Sequence, residues 1–348
     1  MKRKAGATLA LSLSIALSLA FGLPHWLGGG QAESAGTESA ARAFDPMTAK
    51  LEHRTDDAAA PVVYFTRDIN PDGLMKAYEA LGRTPTGNVA VKLHTGEGDN
   101  SYYLRPELIK DLVQKVNGTI VECNTAYGGA RASTAMHLQV AEDHGFTAIA
   151  KVDIMDADGG VEIPVEGGTR LTTNQVGAHF TDYDFFVVLS HFKGHEMGGF
   201  GGALKNTSIG IASSEGKSLI HSAGANTTGY GAGTPADEFT ESMAEAAKSV
   251  YDYLGHGEKM LFINVMNNVS VDCDCNAYPA KPKMQDVGIF ASLDPVALDQ
   301  ACVDAVYAAP DGASVVRRIE SRNGVHILEH AEAIGFGSRA YRLTSLDK

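Results

Sequence analysis

Residues 185–206 read FFVVLSHFKGHEMGGFGGALKN, and this stretch decides the fold. Phe185 to Leu189 is a continuous apolar run of strand length with no polar face. Such a strand belongs in a parallel sheet covered by helices on both sides. The chain then changes character at once. His191, Lys193, His195 and Lys205 follow, with five glycines between His191 and Asn206. In open parallel sheets ligands bind outside the carboxyl ends of the strands. Glycines let backbone approach a ligand closely, and a helix starting near Ala203 favours an anion. The stretch is not a P-loop, because no Gly-Lys-Ser/Thr follows at the required spacing.

Outward from this run, strands alternate with helices. Upstream, Val62–Thr66, Val89–Leu93, Thr119–Cys123, Ala148–Val152 and Val161–Val165 read as strands. Helices are predicted from Asn70-Pro71 to about Leu81, over Arg105–Val116 and over Arg131–Gly145. Downstream, Thr234-Pro235 opens a helix on which Phe239, Met243, Ala246, Val250 and Leu254 share one face. Met260–Val265 and Val287–Phe290 read as strands. Asp294-Pro295 starts a helix to about Ala308, and Val325–Ile334 is the last. The alternation predicts an α/β protein with a mostly parallel sheet covered by helices on both faces.

Three further strand ends carry chemistry. Ser270-Val271-Asp272-Cys273-Asp274-Cys275-Asn276 places two thiols and two carboxylates within four residues. Thiolates prefer zinc, copper(I) or iron. A single Cys-x-Cys pair needs ligands from elsewhere, and His191 and His195 are the natural ones, with Asp272 a further candidate. If both parent strands are parallel, the two loops leave the same sheet edge. That puts His191 or His195 within about 10 Å of Cys273 or Cys275. The alternative use of the cysteines is a disulfide or thiol–disulfide exchange. The second strand end carries Lys92, His94, Glu97 and Asp99, with His94 and Glu97 as candidate acid or base. The third runs from Cys123 to Arg131. Lys193, Lys205, Asn206 and Arg131 are the expected anion ligands. Cys123 and Cys302 sit in apolar surroundings and read as buried and inert. Asp299 falls on an apolar helix, where a carboxylate needs a partner.

Charge narrows the partners. The chain carries 29 Lys plus Arg against 42 Asp plus Glu, a net −13. That balance repels phosphate backbones and argues against nucleic acid. The N-terminus reads as a cleaved signal peptide over residues 1–32: basic Met1–Lys4, uncharged Ala5–Leu23, then Gly30-Gln31-Ala32 as the cleavage site. An uncleaved anchor is the alternative. Cleavage would leave an exported protein without an integral membrane segment. Residues 33–60 read as a flexible linker. Residues 61–348 form a single α/β domain, with 61–180 and 181–348 as subdomains if it divides.

Together SHFKGHEMGGFGGALKN, VKLHTGEGDNSYYLRPELI, VDCDCN and ASLDPVALDQACVD resemble the domain-of-unknown-function 362 family, over about Val62 to Tyr341. The resemblance implies one α/β unit. It also implies that many relatives are iron–sulfur-centre proteins, with a ferredoxin-like insert after the glycine-rich loop. Here the corresponding region, Ser222–Ala236, has no cysteine, and the four-cysteine spacing of a four-iron cluster is missing. The reading is therefore an exported α/β protein that binds zinc or iron and a small anion, with no four-iron cluster, and with metal-assisted catalysis within reach. The alternatives are a non-catalytic binding protein and a thiol–disulfide protein.

Overall fold

The computed structural model describes residues 44–229, 231 and 233–348. The expected signal peptide and residues 33–43 of the expected linker lie outside the described residues. Twelve strands and nine helices follow one another among the described residues. The strands are β1 (Val62–Thr66), β2 (Val89–Lys92), β3 (Thr119–Glu122), β4 (Val152–Ile154), β5 (Gly160–Pro164), β6 (Thr173–Gly177), β7 (Phe185–His191), β8 (Lys193–His195), β9 (Gly199–Gly201), β10 (Met260–Met266), β11 (Gly288–Ser292) and β12 (Arg342–Ser345). The helices are α1 (Pro71–Ala80), α2 (Pro106–Lys115), α3 (Thr134–Asp143), α4 (Ala203–Thr207), α5 (Ser214–His221), α6 (Ala236–Tyr253), α7 (Pro295–Ala308), α8 (Ala313–Glu320) and α9 (His326–Ala333).

The central sheet has eight strands in the order β12-β1-β11-β10-β7-β2-β3-β4. All seven residues of β7 are buried, and the strand lies parallel to both β10 and β2. Its side chains alternate between two cores. Phe186 and Val188 join one, while Phe185, Val187 and Leu189 join the other. That is the two-residue period of a strand covered on both faces. Leu74 and Ala77 of α1 and Ile109 and Leu112 of α2 close the second core. Phe239 of α6, Leu298 of α7 and Leu328 of α9 close the first.

Only β11 runs against its sheet neighbours. An antiparallel partner needs no helical crossover. The chain from β10 to β11 therefore has no helix to build, and residues 267–287 remain as the loop that carries the cysteines. From β2 the chain steps outward to β3 and β4, then returns to β7 on the other side of β2. The sheet thus has a topological switch point between β2 and β7, the place where α/β sheets open a ligand crevice.

Two expectations differ from the structure. Residues 44–60 are docked rather than loose. Leu51 is buried, Arg54 bridges to Tyr341, and His53 bonds Asp304. The strand expected over Ala148–Val152 begins later. Gly145, with φ of 83°, turns the chain into a 3-10 segment at Phe146–Ala148, and β4 starts at Val152. No helix among the described residues is long and apolar enough to cross a membrane.

Candidate functional site

At the switch point Asn206 holds the strand ends together. Its amide donates to the Lys92 carbonyl (3.1 Å), the Leu189 carbonyl (3.3 Å) and the Ser190 hydroxyl (3.1 Å). Lys92, last in β2, is fully buried and bonds Glu122, last in β3, at 2.8 Å. Glu122 also accepts the Thr95 N–H at 2.8 Å. Arg131 reaches Glu97 at 3.1 Å and stands 3.9 Å from Glu122.

Beyond β7, the chain forms the β8–β9 ribbon. Gly194 N–H donates to the Ser270 carbonyl at 2.8 Å, which stitches the ribbon to the cysteine loop. His191 faces two acceptors, the Asp274 carboxylate through Nδ1 (2.8 Å) and the Asn267 carbonyl through Nε2 (2.5 Å). Both of its nitrogens are engaged. Lys193 Nζ sits 2.7 Å from the same Asp274 oxygen. Burial opposes the Lys193 charge, but Asp274 together with Cys273 and Cys275 outweighs it and raises the lysine pKa. Asp299 has the partner it needs. It accepts the Ala203 and Leu204 N–H groups at 2.7 and 2.9 Å, and so caps α4 from α7. Burial pushes the Asp299 carboxyl up to about 6, against those hydrogen bonds.

One group of three donors among the described residues could hold a metal ion. The ligand atoms of His195, Cys273 and Cys275 all lie within 4.8 Å of one another. All four cysteines are free thiols, and neither Cys123 nor Cys302 belongs to this group. A hydrogen bond with Cys275 holds the Cys273 thiol well below the usual thiol range, despite burial, and Lys205 and Lys193 reinforce it. The same bond and burial push Cys275 well up. Lys205 Nζ stands 3.8 Å from Cys273 Sγ. Burial, then Lys205, keep His195 neutral, with its pKa well below the usual imidazole range.

The donor set fits a thiophilic ion: two thiols and an imidazole are borderline-soft ligands. One adjustment is required at His195. Its Nδ1 accepts the Gly198 N–H at 2.9 Å, which leaves the ring proton on Nε2. A ligating histidine normally donates from its second nitrogen. Ligation by His195 therefore means turning the Gly198 N–H away.

Beside these donors is a cavity of about 60 Å³, lined in part by His94, Glu122, Arg131, Lys193, Lys205 and Lys217. Cys275, His195, His191 and Asn206 also line it. His94 is held neutral, its pKa well below the usual range, by burial and then by Arg131. Its Nδ1 accepts the Gly96 N–H at 3.0 Å, so Nε2 carries the ring proton.

Several expected roles change on this geometry. Asp272 pairs with Arg318 at 2.8 Å and stands outside the donor group. His191 is likewise outside that group, and both of its nitrogens are taken. Glu97, expected as acid or base, braces the 128–131 turn by accepting from Ala130 N–H and Arg131. Lys193 and Arg131 line the cavity with their charges already matched by carboxylates. Cys123 also lines it, donates to the Ile211 carbonyl, and is pushed up to about 12 by burial. Sequence reasoning missed Lys217 and His221 of α5, both on the cavity wall. The available signal was Ser213, which caps α5 by accepting the Gly216 N–H.

Fold and site together define an α/β protein with a soft-donor cluster beside a cationic cavity, at the switch point of its sheet. The chain belongs to the family described as domain of unknown function (DUF362), whose model matches residues 89–304. No curated protein matches it. Among solved structures, the lactate racemase apoprotein from Thermoanaerobacterium thermosaccharolyticum is similar at 14% identity and a TM-score of 0.38, over 59% of this chain and 50% of that one. A protein from Thermotoga maritima is similar at 16% identity and a TM-score of 0.40, over 68% of this chain and 58% of that one. The matches therefore span less than two thirds of either solved chain.

Proposed function

We propose that this protein binds one zinc or iron ion through Cys273, Cys275 and His195, and a small anion in the adjoining cavity. The observation that carries this reading is the convergence of the three donors within 4.8 Å from two separate loops. Three protein ligands leave a coordination position open, and Cys275 and His195 both face the cavity. A metal so placed supplies Lewis acidity to an anion held beside it. Neutral His94, its Nε2–H available, donates a hydrogen bond to that anion. The second reading, thiol–disulfide exchange, is favoured by the hydrogen-bonded Cys273–Cys275 pair and the depressed Cys273 thiol.

Elemental analysis separates the two. The purified protein should carry about one zinc or iron per chain, since two thiolates with an imidazole outbind carboxylates for such ions. Cys273→Ser combined with Cys275→Ser should abolish it. Metal-free protein whose two thiols alkylate freely would overturn the metal reading, and a reversible Cys273–Cys275 disulfide would establish the second.

A further inference from the structure

The cavity wall holds more positive charge than its carboxylates can match. Arg131, Lys193, Lys205 and Lys217 are its basic side chains, and Glu122 is its only carboxylate among the described residues. Glu122 is taken by Lys92, Glu97 by Arg131, and Asp274 by Lys193 and His191. The next carboxylate outward, Asp156, accepts the Asn124 and Ser214 N–H groups. Neither Lys205 nor Lys217 has a carboxylate partner among the described residues. Lys205 faces Cys273 Sγ at 3.8 Å, and Lys217 Nζ donates to the Ala212 carbonyl at 2.6 Å. Lys217 is only 6% exposed. A lysine so buried, with one carbonyl for company, needs an anion to offset its desolvation. Thiolates ligating a divalent ion would match that ion's charge, and both lysines would still be uncompensated.

The cavity is a small one, about 60 Å³, which suits a compact anion better than an extended one.

We propose that the cavity is a site for a small doubly charged oxyanion of the orthophosphate class, clamped between Lys217 and Lys205, with Lys217 as its buried anchor. This deepens the function proposed above and rests on its anion half. Charge-assisted bonds from two ammonium groups favour a dianion over a monoanion of similar size.

Calorimetric titration of the full chain with inorganic phosphate, and separately with formate, tests this. Metal-loaded and chelator-treated protein are run in parallel. Phosphate should bind and formate should bind at least tenfold more weakly. Lys217→Gln should weaken phosphate binding at least tenfold, while Lys217→Arg should restore most of it. Lys248→Gln, which disturbs only an ion pair with Asp252 on α6, serves as the control and should bind as wild type. If Lys217→Gln fails to fold, half-buried Lys205→Gln is expected to show the same tenfold loss. Phosphate binding that survives chelation would leave this proposal standing whether or not elemental analysis bears out the metal. Metal-loaded protein that ignores phosphate, a Lys217→Gln variant that folds and binds as wild type, or formate binding equal to phosphate would each overturn it.

Discussion

Gly194 has no room for a side chain. A Cβ there would stand 2.1 Å from the Val271 carbonyl oxygen, in the loop that carries Cys273 and Cys275. The ribbon bearing His195 and the cysteine loop can bond at Gly194 N–H to Ser270 only because that space is empty. Gly194→Ala should therefore push the loops apart, and the donors with them, although it removes no ligand. We expect at least a tenfold loss of metal affinity from a ligand displacement of this kind, read by competition with a chromogenic chelator. A variant that folds and keeps wild-type affinity would show that the stitch does not set the donor geometry. At this scale the sequence announces residue types better than roles. The meeting of His195 with the cysteines was legible, because parallel strands deliver their loops to one edge. The fates of His191 and Asp272 were not. Each is decided by a neighbour distant in sequence, Asn267 with Asp274 for the first and Arg318 for the second.

Elements with a strong apolar pattern were readable from sequence, and short polar ones were not. β1 spans the expected Val62–Thr66, and α6 starts just after the expected Thr234-Pro235. α5 has eight residues, among them Glu215, Gly216, Lys217 and Ser218, and shows no apolar period. β8 and β9 are three residues each and rich in glycine, so neither propensity nor pattern marks them. The cavity's anchoring lysine was missed because its helix was missed. α6 also shows how one buried residue can tie down a segment with little pattern of its own. Glu245 accepts the N–H groups of Thr169, Arg170 and Leu171 and pairs with His330 at 3.1 Å. Burial works against its charge, but these hydrogen bonds prevail and lower its pKa to about 2. A carboxyl depressed in the folded state stabilises the protein above its unfolded pKa and loses that contribution as pH falls through the folded value. At 1.36 kcal/mol per unit, the contribution is about 3 kcal/mol. The stability gap between wild type and Glu245→Gln should be full above pH about 4.5 and close as pH approaches 2. Denaturant melts of both proteins across that range check it. A gap that does not change with pH would rule out the charged form as its source.

At the scale of the whole molecule, one carboxylate gathers partners from both ends of the described chain, which are also joined by the pairing of β1 with β12. Asp304 on α7 accepts the His53 backbone N–H (2.9 Å), the Gln300 side-chain amide (2.8 Å) and the Tyr341 hydroxyl (2.9 Å). It also lies 3.0 Å from His53 Nδ1. His53 belongs to the first described segment, and Tyr341 immediately precedes β12 at the far sheet edge. Both ends of the described chain are thus fastened to one buried point, and none of these partners lines the cavity. Asp304→Ala should leave several buried donors unsatisfied and cost about 2–4 kcal/mol of stability. The cost should appear in two places at once: amide hydrogen exchange should quicken over residues 51–55 and 341–345 together, because each segment loses the same anchor. Metal and phosphate binding should persist, since the switch point between β2 and β7 is built from other residues. Exchange that quickens at one end alone would show that the direct bonds between residues 53–55 and Tyr341 hold the other end without Asp304, and the shared role of Asp304 would have to be abandoned.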